Sequence, residues 1–280
     1  MTPLVEVQGV GKTYEAPGQQ IRALDDVSFE LRAGEFFAII GVSGCGKSTL
    51  LAILGGLLPA SRGRVLVEGE PIVRPRPDKI GFVFQDYSLL AWRTVLENIE
   101  LGLEVRGMAK AQRRRRAEAQ LELVGLTRFA HAYPHQLSGG MRQRVAIARS
   151  LTLGCRILLL DEPFGALDEQ TRLMMGQDLL AIHRETKGCV VLVTHSISEA
   201  IHLADRVAVM SARPGRITEI IDVSMPDPRV PAVRASAQFV ALQQSLWSRL
   251  EAQWVQAQAQ ETGRAEDPGG AAGLQTFGPG

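Results

Sequence analysis

The sequence is poor in three things. Cysteine is one: Cys45, Cys155 and Cys189 are 3 in 280 residues, far apart and without the spacing of a metal site. Such scarcity points to a reducing, cytoplasmic compartment rather than a disulfide-stapled secreted fold. Excess charge is another: 31 Lys and Arg against 30 Asp and Glu leave a net +1. That balance argues against nucleic acid as an obligate partner. Long apolar runs are the third. The longest, residues 50–60, has two glycines and Pro59 and falls well short of the roughly 20 residues that cross a bilayer. It reads as a buried helix, so any membrane role is expected to come through a partner. The opening residues, Met1-Thr2-Pro3-Leu4-Val5-Glu6, have no signal-peptide pattern. No internal repeat is visible. A chain of this length can bury a core as one domain with a subdomain or tail.

One stretch is chemically rich. Residues 41–49 read Gly41-Val42-Ser43-Gly44-Cys45-Gly46-Lys47-Ser48-Thr49, between an apolar run at 36–40 and another at 50–54. This is the spacing of a phosphate-binding loop joining a strand to a helix. Glycines let the backbone wrap an anion with no Cβ in the way. Successive N–H groups then point inward at the positive end of the following helix. Lys47 can place a charge on the β- and γ-phosphates, and Ser48 can offer an oxygen to Mg²⁺. A disulfide at Cys45 would obstruct this loop. The expectation is a nucleoside triphosphate site.

Residues 5–10, 23–31 and 63–70 alternate apolar with polar, as half-buried strands do. Residues 36–40, 80–84, 156–160 and 189–193 also predict strands, the last two apolar enough for a buried parallel sheet. Residues 206–210 and 216–223 predict closing strands. Between 86 and 153 the pattern turns helical, over 94–105, 109–124 and 140–153. Pro226, Pro228 and Pro231 mark a linker. Phe239, Leu242, Leu246 and Leu250 then recur at helical spacing. Residues 263–280, rich in Gly, Ala and Pro, predict disorder. The class is α/β, divided into a core from 1–85 and 154–225, a helical insertion at 86–153, a helical extension at 226–262 and a tail.

Two further motifs say what the triphosphate is for. Ile157-Leu158-Leu159-Leu160-Asp161-Glu162 is an apolar strand ending in two acids. Adjacent residues at a strand end point to different sides. Asp161 is therefore assigned to the metal and Glu162 to the attacking water. Leu137-Ser138-Gly139-Gly140-Met141-Arg142-Gln143 opens a helix, with Ser138 as a cap and two glycines exposing N–H groups to an anion. Local physics alone is equally satisfied by a capped helix with a flexible lead-in.

The ordered set resembles the ATP-binding subunits of ABC transporters. Tyr14, residues 41–49, Gln85, residues 137–143, residues 157–162, Ala166-Leu167-Asp168 and His195 fall in that family's order, across residues 4–222. The resemblance implies a RecA-like P-loop NTPase core with an antiparallel β subdomain and an inserted α-helical subdomain. It implies ATP and Mg²⁺ as cofactors, with Ser48, Gln85 and Asp161 around the metal. Two copies would pack head to tail, so that Ser138, Gly139, Gly140 and Gln143 reach the ATP held by the partner. Tyr14 would stack on adenine, Asp168 would bridge the subunits, and Glu162, His195 and Gln85 would serve hydrolysis. Met141 stands where glutamine is commonest, and Ser196 where many relatives have an acid, so altered hydrogen bonding is expected beside His195.

Within that family, Tyr87-Ser88-Leu89-Leu90-Ala91-Trp92-Arg93-Thr94-Val95-Leu96-Glu97-Asn98-Ile99, Ala212-Arg213-Pro214-Gly215-Arg216-Ile217 and the tail pattern of Phe239, Leu246 and Trp247 resemble the nitrate, sulfonate and taurine importers. Thiamine-precursor importers share much of the pattern, and export or lipid-transfer ATPases carry the same motifs. Soluble repair or translation ATPases usually add coiled coils or a second cassette, which this chain lacks. The resemblance implies permease subunits, a periplasmic or extracellular binding protein that reads the cargo, no nucleic acid, and a place on the cytoplasmic face of the inner membrane. Other features read as structure: Arg113 to Arg116 as a solvated helix face, Trp92, Trp247 and Trp254 as packing residues, His131 and His135 as ligands to nothing.

Overall fold

The structure is a computed structural model that describes residues 3–165, 167–226 and 229–265. Strands β1 (Val5–Ala16) and β2 (Gln19–Leu31) form one long hairpin. It outruns the expected strands because Pro17-Gly18 makes a tight turn, with Gly18 at φ 74°. Strand β3 (Phe36–Gly41) feeds helix α1 (Lys47–Leu54), and β4 (Arg62–Val67), β5 (Glu70–Pro71) and β6 (Ile80–Val83) follow. Helices α2 (Val95–Val105), α3 (Lys110–Leu123) and α4 (Gly139–Leu151) come next. The chain continues through β7 (Ile157–Asp161), α5 (Glu169–Thr186), β8 (Cys189–Thr194), α6 (Ile197–Leu203), β9 (Arg206–Met210), β10 (Ile217–Asp222) and α7 (Ala237–Ala265). Helices α5 and α6 add to the elements expected from the sequence.

The strands form two sheets among the described residues. One is antiparallel, in the order β2-β1-β4-β5; the other runs β10-β9-β3-β8-β7-β6, parallel except for β10. Every residue of β3 and β8 is buried, as a parallel sheet covered on both faces requires. Alternation along β3 divides the core in two. Phe37 and Ile39 face the antiparallel sheet and α1, beside Val5, Val7 and Leu50. Phe36, Ala38 and Ile40 face the helices, with Ile99, Val145, Leu179 and Ile201. The binding loop is thus anchored by a strand held on both sides.

The inserted helices are built on local devices. Thr94 and Glu97 cap α2 reciprocally. Asn98 is fully buried and ties down the preceding loop, accepting from Leu90 N–H at 2.8 Å and donating to Leu90 O at 3.1 Å. Here the structure corrects the reading of the arginine run. Arg113 and Arg114 both turn onto the buried carboxylate of Glu100, at 3.2 and 3.0 Å, while Arg115 and Arg116 are exposed. A buried acid needs a counter-charge, and the run supplies it.

The helix read from Phe239 onward is present. Phe239 and Leu246 are buried against the α6 side of the core, with Leu242 and Leu250 partly so. It continues to Ala265, past the expected end at 262; the rest of the expected disordered tail, 266–280, lies outside the described residues. Two tryptophans do not pack as expected: Trp92 is 74% exposed and Trp247 64%. The side chain of Trp254 lies outside the described residues. All three cysteines are free. No helix among the described residues is long and apolar enough to cross a membrane.

Candidate nucleotide site

The site begins where β3 runs out. Gly44 and Gly46 take φ 76° and 105°, a left-handed turn that puts the loop's N–H groups at the start of α1. A Cβ on Gly46 would stand 2.8 Å from the Leu24 side chain and 3.0 Å from Ala23 O, so the β2 strand presses on the loop from outside. Gly41, Cys45 and Lys47 are buried, and Val42 packs partly into the core. The Lys47 ammonium donates to Gly41 O at 2.9 Å and Val42 O at 3.1 Å. It is thus held over its own loop, where an anion would sit.

Ser48, the second residue of α1, donates to Asp161 Oδ1 at 2.9 Å. Asp161 ends β7, half-buried. Burial pushes its carboxyl above the usual range; the Ser48 hydroxyl pulls it back, Glu162 pushes it up again and Lys47 opposes that. A hydroxyl and a carboxylate short of positive charge are hard oxygen donors suited to Mg²⁺. Among the described residues no three His, Cys, Asp or Glu side chains cluster as a complete metal cage.

Glu162 leaves the strand with φ 44°, a left-handed backbone that costs a non-glycine residue on the order of 1–3 kcal/mol. Its N–H donates to Val193 O at 2.9 Å, which fixes the turn. The turn aims the side chain at the next strand, where Oε2 lies 3.1 Å from His195 Nδ1. Two of the three residues singled out for hydrolysis, Glu162 and His195, are therefore in contact. Ser196, the departure after the histidine, caps α6 by accepting from Glu199 N–H at 3.3 Å. Thr194 donates to the buried Glu199 carboxylate at 2.6 Å. Those bonds hold the His195 turn without the missing acid.

A cleft of about 370 Å³ opens over these groups. Tyr14, Ser43, Lys47, Thr49, Glu162 and Arg213 are among its walls. The Tyr14 ring is 39% exposed on β1, with its hydroxyl 3.3 Å from Thr49 Oγ1 and the Lys12 ammonium 5.3 Å from its centroid. A ring so placed is free to stack on a base. Gln85 is exposed just past β6, two residues beyond Val83, which pairs with Leu160 of β7. It does not line the cleft. The turn after it is pinned by Arg149, which donates to Ser88 O at 2.6 Å and Tyr87 O at 2.8 Å.

Ser138, Gly139 and Gly140 stand apart from the cleft, at the start of α4. Ser138 Oγ accepts from Met141 N–H at 3.3 Å. Gly139 approaches Leu167, and Gly140 approaches Met175, closely enough that a Cβ would lie 2.8 Å from either side chain. The motif is therefore packed beside the 167–168 turn of the same chain. Asp168 caps α5, accepting from Thr171 N–H at 3.0 Å and Thr171 Oγ1 at 2.7 Å; those bonds hold its carboxyl below the usual range. Ala166 lies outside the described residues. Gln143 departs from its assignment: it is fully buried on α4, with neither amide atom hydrogen-bonded.

A buried strand, a glycine loop around Lys47, a serine on an acidic strand end and a histidine beside the second acid define a P-loop nucleoside triphosphatase. Residues 24–165 match the family described as ABC transporter. A taurine import ATP-binding protein of Rhizobium johnstonii is 45% identical over 236 residues, 82% of this chain and 89% of that one. A nitrate import ATP-binding protein of Synechococcus elongatus is 44% identical over 223 residues, 79% of this chain and 81% of that one. The dimeric post-hydrolysis structure of an ATP-binding cassette bound to ADP and Pi aligns with a TM-score of 0.69 at 37% identity, covering 78% of this chain and 98% of that one. The chain belongs to the ABC transporter family, and it is an ATPase.

Proposed function

We propose that this chain is the ATP-hydrolysing subunit of an importer for a small anion, nitrate or a sulfonate such as taurine. The observation that carries the mechanism is the separation of Ser138, Gly139 and Gly140 from the cleft that holds Lys47. Ser138 is exposed at the capped start of α4, and a helix start can take an anion that the chain's own cleft does not bring there. A second copy facing it head to tail would bring its triphosphate there. ATP would then lie between the loop of one subunit and the α4 start of the other, and Asp168 beside the motif would meet the partner. The likeness to a dimeric cassette and to two import subunits supports this reading.

Within each site Tyr14 would take the base, Lys47 the β- and γ-phosphates, and Ser48 and Asp161 the Mg²⁺, with Gln85 nearby. The metal would neutralise charge building on the phosphate oxygens. Glu162 would orient the attacking water, and His195 would hold Glu162 and meet the γ-phosphate. Closure of the two subunits on ATP and reopening after hydrolysis would bias a permease between two states. We place the subunit on the cytoplasmic face of the membrane, with an external binding protein reading the cargo.

The permease is expected to dock beside the 86–94 turn. Trp92 is 74% exposed there, with Leu89 and Leu90 half-buried behind it, and it follows Gln85 on a segment pinned by Arg149. An exposed tryptophan is the residue type that anchors interfaces. Trp92→Glu is expected to prevent co-purification with the permease while ATP binding by the isolated subunit stays at the wild-type level. A complex that survives the change would contradict docking at this turn. Cargo is tested directly by uptake: a strain lacking this gene should lose energy-dependent uptake of labelled taurine or nitrate. Undiminished uptake of both anions would contradict the assignment.

A further inference from the structure

Of Arg22, Arg62, Arg213 and Arg216, Arg213 alone lines the cleft, and the other three are already paired. Arg22, Arg62 and Arg216 all pair with Asp25, whose side chain is buried. That carboxylate knots β2, β4 and the end of the 211–216 turn together. Arg213 is different. It is exposed, and among the described residues it has no carboxylate partner; its Nε donates to Gly44 O at 3.0 Å. The guanidinium lies across the binding loop, with Nη2 only 2.8 Å from where a Cβ on Gly44 would stand. Gly44 thus has a second reason to be glycine: a side chain there would displace the cation. Arg213 and Lys47 line the same cleft.

We propose that Arg213 is a phosphate-binding residue of the nucleotide site, a second cation beside Lys47. Nothing in the position of Arg213 along the chain signals this; the turn between β9 and β10 brings it there. A guanidinium presents five N–H donors in a planar fork. The Nε–H bond to Gly44 O fixes the fork over the loop and leaves both terminal NH₂ groups for anionic oxygens. The neighbouring Asp25 carboxylate is already paired with three other arginines and does not compete for Arg213. The ligand it selects is the phosphate chain, present in both ATP and ADP, rather than the base. The inference rests on the reading that this cleft holds ATP.

The test is isothermal titration of ATP, ADP and GTP into the full chain carrying Arg213→Ala, Arg213→Lys or Lys47→Ala, each at low and high salt. Arg213→Ala is expected to weaken ATP and ADP about tenfold, the effect of losing one charge-assisted contact, and to leave the ATP-to-GTP ratio unchanged. Arg213→Lys should recover part of that loss. The wild-type affinity should fall more steeply with salt than that of Arg213→Ala, because one fewer ion pair is screened. Thermal melting of Arg213→Ala should match wild type, since the side chain is exposed. Unchanged affinity, a selective loss of ATP over GTP, or a loss with the wild-type salt slope would each overturn the proposal, the last by showing that Arg213 only shapes the loop. Wild-type ATP affinity in Lys47→Ala would overturn the nucleotide-site reading as well. Lost binding in Lys47→Ala with wild-type binding in Arg213→Ala would overturn the Arg213 proposal alone.

Discussion

Glu162→Gln is expected to keep ATP binding near the wild-type level and to cut turnover by at least about a hundredfold, the usual scale for removing a general base. Glu162 is the cleft carboxylate that its left-handed backbone turns toward His195, 3.1 Å away. Glutamine keeps that shape and can still meet the histidine, but it has no carboxylate to polarise a water. The charge carried by Asp161 is untouched, so the Ser48–Asp161 pair remains for the metal. Phosphate release at saturating ATP, measured beside nucleotide binding, separates the two effects. Unchanged turnover would move the water-activating role to another residue. A parallel loss of binding would make Glu162 part of the nucleotide cradle.

Ser138→Arg is expected to be nearly as damaging, although residue 138 does not touch its own cleft. Ser138 caps α4, and losing a cap costs about 1 kcal/mol, too little to unfold a domain. A purely structural serine would therefore give a slightly less stable ATPase with nearly normal turnover. A serine that meets a partner's γ-phosphate would give a folded protein that binds ATP and does not turn it over. Melting temperature, ATP affinity and steady-state rate together decide between these outcomes. Gly139 and Gly140 pack toward Leu167 and Met175, so larger residues there would disturb packing whether or not a phosphate is met. Ser138 is the cleaner position to test.

What could be read from the sequence follows the range of the forces involved. Residues 36–54 were legible because an apolar strand, a glycine-spaced loop and an apolar helix each carry their own local signal, and β3 and α1 form where those signals fall. The acids Asp161 and Glu162 were legible for the same reason, at the end of an apolar run. The start of α4 was legible only as a capped helix; its second meaning came from resemblance, because the ligand it would bind is held by another molecule. Helix α5 could have been found, since Met175, Leu179, Leu180 and Ile182 recur on one face behind the Asp168 cap.

Long-range placements stayed out of reach. The pairing of Arg113 and Arg114 with Glu100 depends on α3 crossing α2. The exposure of Trp92 depends on which side of a turn faces outward, and composition alone favours burial. The burial of Gln143 runs against its residue type, with both amide atoms unpartnered. Arg213 reaches the loop only because β9 lies beside β3 in parallel register, with Gly41 opposite Met210. No spacing rule relates residue 213 to residue 44. Such contacts are products of topology, and the signals that revealed the loop do not extend to them.

The central claim is that one working site takes its two halves from two chains. Mixing separately purified Ser138→Arg and Lys47→Ala proteins tests it most directly. Each variant alone is expected to be inactive, one lacking the α4 contribution and the other lacking Lys47. The mixed dimer would join an intact loop from the first to an intact Ser138 from the second, so ATPase activity should appear on mixing, with one working site per mixed dimer. A mixture as inactive as its parts, or full activity from monomeric Ser138→Arg, would contradict the account.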